Sequence, residues 1–395
     1  MSDLQITLLP TKDPSPPNKG SDPPHWVGNP PTSFRNPWPS FAKENGLLDA
    51  LQTRFGSNRN FVPVPKTRDE LVEVRAPDWG RGQASWESKL KATWLGHAGV
   101  LVELASPLDE VTNTNDSHIL ETSKRRGLRI LFDAVFSDRT SPVTWAGPKR
   151  YTPLPCSIDE LPEVDIIATS HDHYDHMDLV TIKQICTRQY ATGKRIHFFA
   201  GLGNAKHFLA AGAGIREDEI TECDWWMSHE ISLAGVGNVE LTCTPTQHFS
   251  GRSIWDRGQA LWCSWTVVDK VSNRKLYFAG DTAYRAIGTP SECPVFKQIG
   301  HTFGGFDLAW IPIGLYSPQS FMSAVHVCPE DSLNIHKDVR SRHSIGMHYG
   351  TFRGGLSQYH EDVREPPKRW RSAAEKEGKW GNECRLCAVG ETILV

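Results

Sequence analysis

The 395-residue sequence predicts a layered α/β fold. Short apolar runs of strand length recur from Lys91 onward, and segments of helix length lie between several of them. A histidine or an aspartate follows each of these runs. Strands that alternate with helices are typical of layered α/β proteins, in which ligands collect at the strand ends and on the loops that follow.

Residues 1–85 predict an irregular N-terminal arm that precedes a layered domain over residues 86–395. Seven prolines lie within residues 14–31, and proline restricts φ and lacks a backbone donor. We therefore expect a disordered or extended arm that Trp26, Trp38 and Phe41 could dock on the body. A short helix is expected from about Lys43 to Phe55.

Six apolar runs in the second part predict buried strands. The runs are Ala92–Leu95, Leu128–Phe132, Asp165–Thr169, Glu240–Thr244, Leu276–Ala279 and Ser344–Met347. The ligand-type residues after them are, in the same order, His97, Asp133, His171, His248, Asp281 and His348. Helices are expected over Leu179–Gln189, Gly203–Gly212 and Glu330–Val339. This repeated order predicts several metal-ligand side chains on one edge of one core.

Composition and charge narrow the classes of partner. The net charge is −3 and no basic run stands out, so no nucleic-acid partner is expected. No apolar run reaches the roughly 18–20 residues of a membrane span, and the first residues lack the layout of a signal peptide. A lipid substrate would therefore be met at a membrane surface.

The cysteines indicate a reducing environment. There are nine, an odd number, scattered from Cys156 to Cys387, which predicts reduced thiols in an intracellular protein. Cys384 and Cys387 form a single C-x-x-C pair, which we interpret as structural.

The densest group of ligand-type residues is the run from His171 to His176, which reads HDHYDH. Positions i and i+2 of an extended segment point the same way, so His171 and His173 can share one metal ion. After a turn, Asp175 and His176 can face a second ion. Imidazole and carboxylate suit zinc, although iron can occupy such sites. Two metals about 3.5–4 Å apart favour displacement at phosphorus.

This run resembles the metal-binding motif of the metallo-β-lactamase superfamily. More narrowly, the chain resembles the family of N-acylphosphatidylethanolamine-hydrolysing phospholipase D. The matching stretches are Thr93–His97, Gly147–Arg150, Glu160–Pro162, Gln247–His248, Gly280–Thr282, Ile311–Gly314, His326–Val327 and His348–Phe352. The resemblance extends over about residues 90–365. It implies a four-layer αβ/βα sandwich, in which residues 86–395 form the catalytic domain.

The resemblance also implies a ligand set for two zinc ions per chain. His171, His173 and His248 match the ligands of the first ion. Asp175, His176 and His348 match those of the second. Asp281 matches the residue that bridges the two ions, and Gly280 before it would let the backbone approach the metals closely.

Three residues carry implied roles in the reaction. Tyr174 and His326 match positions that contact the substrate phosphate, and His326 can also protonate the departing alkoxide. Asp175 is implied as a catalytic residue in addition to its role as a ligand. Close to His326 the sequence departs from the family pattern, because Cys328 stands where an aspartate is expected. His97 and Asp133, outside the ligand set, are expected to orient the ligands.

The activity implied by the resemblance is zinc-dependent hydrolysis of the phosphodiester of N-acylphosphatidylethanolamine to N-acylethanolamine and phosphatidic acid. The expected partners are a phospholipid and the surface of an intracellular membrane, to which the protein binds peripherally; a homodimer is also considered. Trp145, Trp225, Trp226, Trp255, Arg252 and Arg257 are candidates for contact with lipid.

Two alternatives stay open. The first is hydrolysis of a small phosphorylated lactone or sugar on the same fold. A lipid substrate predicts an apolar path to the metals, whereas a sugar phosphate predicts a small, polar pocket. The second alternative is a metal-binding or lipid-binding protein without turnover.

Overall fold

The computed structural model describes residues 4–18, 20–42, 46–57, 59–107 and 126–395. Two β-sheets pack face to face, and helices cover their outer faces. This is the αβ/βα sandwich expected from the sequence, and the fold prediction is confirmed.

The larger sheet has eight strands. In spatial order they are β1 (Leu4–Leu8), β11 (Ser228–Leu233), β12 (Gly237–Thr244), β13 (Ser264–Asp269), β14 (Lys275–Phe278), β15 (Phe306–Pro312), β16 (Ser341–Met347) and β18 (Cys384–Arg385). Neighbours from β1 to β14 are antiparallel, and those from β14 to β18 are parallel.

The smaller sheet has seven strands. In spatial order they are β10 (Ile220–Cys223), β9 (His197–Gly201), β8 (Ile166–Ala168), β6 (Arg129–Phe132), β5 (Gly99–Glu103), β4 (Lys91–Gly96) and β19 (Thr392–Leu394). Two short antiparallel pairs complete the β-structure. They join β2 (Trp26–Val27) with β3 (Ser33–Phe34) and β7 (Lys149–Arg150) with β17 (Phe352–Arg353).

Seven α-helices lie in the described residues: α1 (Leu47–Phe55), α2 (Leu179–Tyr190), α3 (Ala205–Ala211), α4 (Val295–Phe303), α5 (Gln319–Met322), α6 (Pro329–Asp338) and α7 (Glu365–Lys376). Helices α2 and α3 pack on the smaller sheet, where Ile185 and Phe208 join its core. Helices α4, α6 and α7 join the core of the larger sheet. None of the helices in the described ranges has the length and apolarity needed to cross a bilayer.

Strand β6 shows why the strands of this sandwich are continuous apolar runs. Ile130 and Phe132 point into the core between the sheets, whereas Leu131 belongs to the core beneath α2 and α3. The ring centroids of Phe132 and of Phe278 in the other sheet are 4.8 Å apart. A strand that is buried on both faces needs apolar residues at every position.

The predicted elements form close to their expected bounds. All six predicted strands and all three predicted helices of the second part are present within a few residues. The helix expected from Lys43 is observed as α1 from Leu47, and residues 43–45 lie outside the described ones. The nine cysteines are free and, apart from Cys328, buried.

The N-terminal arm is extended rather than disordered where the structure describes it. Strand β1 pairs with β11 at five positions and so adds an edge strand to the larger sheet. Trp38 stacks on Trp225 with ring centroids 5.3 Å apart, and Phe41 is buried. Docking through Trp38 and Phe41, which the sequence analysis considered, is therefore observed.

Candidate metal centre

The predicted site residues meet at one end of the sandwich, on the loops that follow the strands. The loops after β8, β12, β14 and β16 carry His171–His176, His248, Asp281 and His348. His97, Asp133 and His348 have positive φ angles of 53°, 40° and 63°. Non-glycine residues with this backbone conformation are uncommon and cluster at functional sites.

The first group of donor atoms comes from His171, His173 and His248, whose ligand atoms all lie within 4.8 Å of one another. His171 Nε2 is 2.8 Å from His173 Nδ1, and His248 Nε2 is 3.3 Å from the same nitrogen. Zinc–nitrogen bonds of about 2.0–2.1 Å in a tetrahedral site separate two ligand nitrogens by roughly 3.3 Å. This spacing fits a shared ion.

The second group comes from Asp175, His176 and His348, together with His97. His176 Nε2 is 3.0 Å from His348 Nε2, and Asp175 Oδ2 is 3.7 Å from His348 Nε2. His97 Nε2 is 2.9 Å from Asp175 Oδ2 and thereby orients that carboxylate.

Asp281 lies between the two groups. Its Oδ2 is 3.2 Å from His176 Nε2 and 3.7 Å from His248 Nε2, and its Oδ1 is 2.9 Å from His348 Nε2. Oδ1 is buried and makes no hydrogen bond of acceptable geometry in the described part of the chain. A buried carboxylate surrounded by histidine nitrogens is suited to hold a cation.

Asp133 and Ser170 orient the imidazoles of the site. His176 Nδ1 lies 2.8 Å from Asp133 Oδ2, and Ser170 Oγ donates to the same oxygen at 2.5 Å. Ser170 Oγ is also 2.9 Å from His171 Nδ1. These contacts leave the Nε2 atoms of His171 and His176 facing the centre, as metal-binding histidines require. The sequence analysis anticipated Asp133 but missed Ser170. The one sequence signal for Ser170 is that it directly precedes His171.

The backbone at Gly280 approaches this network closely. Its φ is +59°, and a Cβ atom at this position would lie 2.6 Å from Ser170 Cβ. A side chain would therefore displace Ser170, which contacts both Asp133 and His171. The close approach expected at Gly280 is therefore present, and it is made to Ser170, which contacts the predicted ligand His171.

Charge divides the imidazoles into two sets. Burial lowers the pKa of His171, His173 and His248, which favours the neutral form that binds metals. Burial opposes protonation of His176 and His348 as well, but the Asp281 and Asp175 carboxylates outweigh it. They raise the pKa of His348 to about 9 and that of His176 well above its ordinary value.

The same interaction lowers the pKa of the two carboxyl groups. Burial alone would raise the pKa of Asp175 and Asp281, but the surrounding imidazoles, His176 foremost, together outweigh it and lower both pKa values. The carboxylates of Asp175, which is half-buried, and Asp281, which is buried, lie beside five imidazoles, and the chemistry of this donor set fits two divalent cations.

The residues with an implied phosphate contact lie beside these donors. His326 Nδ1 is 3.8 Å from Asp281 Oδ2, and burial lowers the pKa of His326 to about 4. Tyr174 belongs to the loop that connects the two donor groups and is half-buried. The guanidinium of Arg252 lies 3.9 Å from the centroid of the Tyr174 ring.

Arg252 holds the HDHYDH loop. Its Nη1 donates to the backbone oxygens of Asp172, at 2.7 Å, and Met177, at 3.0 Å. Gly251 N donates to Asp172 Oδ1 at 2.7 Å and adds a further link. The sequence analysis considered Arg252 as a contact for lipid head groups. In the structure its guanidinium binds backbone oxygens of the protein instead.

The tryptophan candidates separate into two classes. Trp225 and Trp226 are buried in the main core, so the suggestion that they contact lipid is wrong. The reason is that the segment between β10 and β11 packs inward, where Trp225 Nε1 donates to Trp262 O at 2.7 Å. Trp145 and Trp255 are exposed.

The N-terminal arm also reaches the site, which sequence reasoning missed. Asn36 Nδ2 donates to His248 O at 2.7 Å, and Ser40 Oγ donates to Gln247 Oε1 at 2.6 Å. His248 Nδ1 lies 2.7 Å from Val325 O, so the His248 ring, like those of His171 and His176, is oriented by a contact of its Nδ1 atom. The Gln247–His248 pair was a sequence signal for this site, but its partners in the arm are more than 200 residues away.

Comparisons with known proteins agree with this geometry. Residues 128–349 match a family model described as "Beta-lactamase superfamily domain". The chain is 38% identical over 291 residues to "N-acyl-phosphatidylethanolamine-hydrolyzing phospholipase D 1" of Caenorhabditis elegans, which covers 73% of this chain and 72% of that protein. It is 31% identical over 352 residues to "N-acyl-phosphatidylethanolamine-hydrolyzing phospholipase D, mitochondrial" of Saccharomyces cerevisiae, covering 86% and 69%.

A solved structure shares the fold at low sequence identity. The isothiocyanate hydrolase from Delia radicum gut bacteria superimposes with a TM-score of 0.51 and 15% identity. The match covers 77% of this chain and 98% of that one. At this identity the likeness shows the fold alone.

Proposed function

Because this chain belongs to the metallo-β-lactamase superfamily of hydrolases, and within it to the family of N-acylphosphatidylethanolamine-hydrolysing phospholipase D, we propose that it is a zinc-dependent phosphodiesterase. The proposed substrate is N-acylphosphatidylethanolamine, and the products are N-acylethanolamine and phosphatidic acid. We assign residues 86–395 to the catalytic domain and residues 1–85 to the N-terminal arm.

The observation that carries the proposal is the position of Asp281 between two groups of three donors each. We assign one zinc ion to His171, His173 and His248. We assign the other to Asp175, His176 and His348, with Asp281 shared by both ions. When bound, the two ions supply Lewis acidity and a water of lowered pKa at the scissile phosphate.

Side chains around the two donor groups would bind the substrate phosphate and transfer protons. Tyr174 and His326 lie beside the donor groups and can hydrogen-bond the phosphate oxygens, which would stabilise developing negative charge. His326 can also deliver a proton to the departing alkoxide, since a negatively charged phosphate beside it would raise the low pKa of its imidazole. Asp175, held by His97 at 2.9 Å, orients the attacking water in addition to its role as a ligand.

The proposed setting is the surface of an intracellular membrane, where the protein binds peripherally and meets its phospholipid. We retain the homodimer as a proposed assembly. Hydrolysis of a small phosphorylated lactone or sugar is the alternative activity, since the same donor set also suits other phosphate esters.

Hydrolysis of N-acylphosphatidylethanolamine in ¹⁸O water, with mass spectrometry of both products, tests the reaction. We expect the label in phosphatidic acid, because water attacks phosphorus. Label in N-acylethanolamine, or release of diacylglycerol, contradicts the proposal. Hydrolysis of a phosphorylated lactone without any lipid turnover supports the alternative.

A substitution tests the assignment of His326. We expect His326→Ala to lower kcat by about 10²–10³-fold while two zinc ions stay bound, since the lost group acts on the substrate rather than on the metals. His343→Ala is the matched control, because His343 is exposed at the far end of β16. Unchanged kcat in His326→Ala, or loss of zinc, would contradict the assignment.

A further inference from the structure

Helix α1 turns its apolar face outward. Leu48, Leu51 and Phe55 are 81%, 45% and 65% exposed. Residues three, four and seven positions apart lie on one face of a helix, so these side chains form one apolar stripe. A helix on the surface of a globular protein ordinarily turns such a stripe toward the core.

The opposite face of α1 is attached to the protein. His360 Nε2 lies 3.0 Å from Thr53 O, and the Arg54 guanidinium lies 4.1 Å from the centroid of the Tyr359 ring. The helix therefore contacts the body through its polar side, and the exposure of its apolar side follows from that docking.

A second group of exposed apolar side chains projects beside the metal centre. Ile254 and Trp255 are 72% and 83% exposed, at the tip of a loop that follows His248. Asp256 holds this tip, since its Oδ1 accepts the backbone N–H of Ser253 at 2.8 Å. The base of the loop is fastened to the HDHYDH loop by Arg252.

A third exposed side chain lies near His326. Ile287 is 61% exposed, and its backbone N–H donates to Ser323 Oγ, directly after α5. Ile287 and His326 line a common cavity of about 400 Å³. Helix α5 also contacts α1, so α1 and Ile287 both lie next to the α5 segment.

The three sequence segments that carry these side chains each contain one more positive than negative charge, although the whole chain carries −3. Residues 46–61 contain two arginines and one aspartate, as do residues 249–259. Arg285 is the only charged residue in residues 283–289, and its guanidinium pairs with Asp331 at 3.3 Å. Tryptophan favours the membrane–water interface, and arginine is attracted to lipid phosphates.

We propose that these six side chains form an apolar rim that inserts into the interface of a phospholipid bilayer and turns the metal centre toward it. The rim comprises Leu48, Leu51, Phe55, Ile254, Trp255 and Ile287.

This inference rests on the proposed function, because a phospholipid substrate makes the bilayer the occupant. A second protein molecule would need a continuous complementary patch of about 800 Å². Separate side chains on three elements, with arginines beside them, fit a fluid lipid interface.

Flotation with vesicles of phosphatidylcholine and phosphatidylglycerol, without any N-acylated lipid, measures docking alone. We expect the triple variant Leu48→Gln, Leu51→Gln, Phe55→Gln to bind at least about tenfold more weakly than the wild type. Glutamine keeps the helix propensity of leucine. Ile254→Ser with Trp255→Ser tests the second element, with the same expectation.

The matched control is Val271→Gln. Val271 is an exposed apolar residue in the turn between β13 and β14, at the end of the larger sheet away from the metal centre. We expect it to bind vesicles like the wild type. Equal loss in this control and in the rim variants would overturn the proposal, because the effect would not be specific to the rim.

Two further outcomes decide against the rim. Wild-type vesicle binding by both rim variants overturns the proposal. So does a change in self-association, measured by sedimentation, with vesicle binding unchanged, because the surface would then hold a second copy of the chain. Hydrolysis of N-acylphosphatidylethanolamine in detergent micelles tests the proposed function separately, since no bilayer is present.

Discussion

At the scale of single residues, Asp281 connects the two donor groups. Both oxygens face histidine nitrogens, and the side chain is buried. Asparagine has the same shape but lacks the charge that would balance two cations. We expect Asp281→Asn to lower turnover by about 10³-fold and zinc content below two per chain, with an unchanged circular dichroism spectrum.

Asp218→Asn is the control for this substitution, because Asp218 lies on the surface with its side chain 72% exposed. It should keep normal turnover and zinc content. Near-normal turnover in Asp281→Asn itself would show that the two ions do not depend on a bridging carboxylate.

Arg252 is the second residue with a testable role, as a positioning group for the HDHYDH loop. Arg252→Met would remove two hydrogen bonds to backbone oxygens and the stacking on Tyr174. We expect the free energy of unfolding to fall by about 1–3 kcal/mol. We also expect kcat to fall about tenfold, since the loop carries four of the seven predicted ligands.

Arg252→Lys should recover only part of this loss, because an ammonium group lacks the planar surface that stacks on the Tyr174 ring. Arg342→Met is the control for loss of an exposed arginine, and its side chain is 73% exposed. The positioning role would be refuted by an Arg252→Met protein with wild-type kcat, whatever its stability.

At the scale of elements, the connection after β15 depends on one buried carboxylate. Glu361 accepts the backbone N–H groups of Leu315, Tyr316 and Ser317 at 3.0–3.3 Å. Burial nevertheless raises the pKa of Glu361 to about 7 by outweighing these donors. Leu315 has a φ of 63°, so the turn leading toward α5 and His326 combines an uncommon backbone conformation with a buried acid.

This raised pKa predicts a pH dependence of stability. The folded state retains the Glu361 proton up to about pH 7, whereas the unfolded chain releases it near its ordinary pKa of about 4.3. The resulting stabilisation is present at low pH and is lost as the pH rises to 7. Between pH 5 and 8, the wild type should lose about 2–3 kcal/mol of unfolding free energy relative to Glu361→Gln.

Chemical denaturation of both proteins across this pH range measures the difference. Glu375→Gln, on the exposed side of α7, should follow the wild type, because its carboxylate is partly exposed and paired with Arg371. Parallel pH profiles for the wild type and Glu361→Gln would refute the raised pKa.

At the scale of the whole molecule, loops from both sheets meet at the candidate metal centre. We expect about two zinc ions per chain in native mass spectrometry, and elemental analysis distinguishes zinc from iron. Chelation should abolish turnover and lower the Tm, because a ligand that binds only the folded state stabilises it. Added zinc should restore both. One metal or none in fully active protein would refute the two-ion assignment.

Local patterns in the sequence were enough to predict much of the secondary structure and of the candidate site. The strands of the second part could be predicted because two-sided burial leaves continuous apolar runs. The HDHYDH run and the ligand-type residues after the other strands could be recognised because each lies next to its strand. The family was recognised from the same stretches, and the comparisons confirmed it.

Only the tertiary structure decided which distant residues meet. Arg252 turned out to hold the loop that carries His171, and Trp225 turned out to be buried rather than near lipid. The arm contributes β1 to the larger sheet, and α1 faces outward with its apolar side. The physical reason is that periodicity reports whether a segment has an apolar face. The partner of that face, whether core or bilayer, depends on packing between residues far apart in the chain.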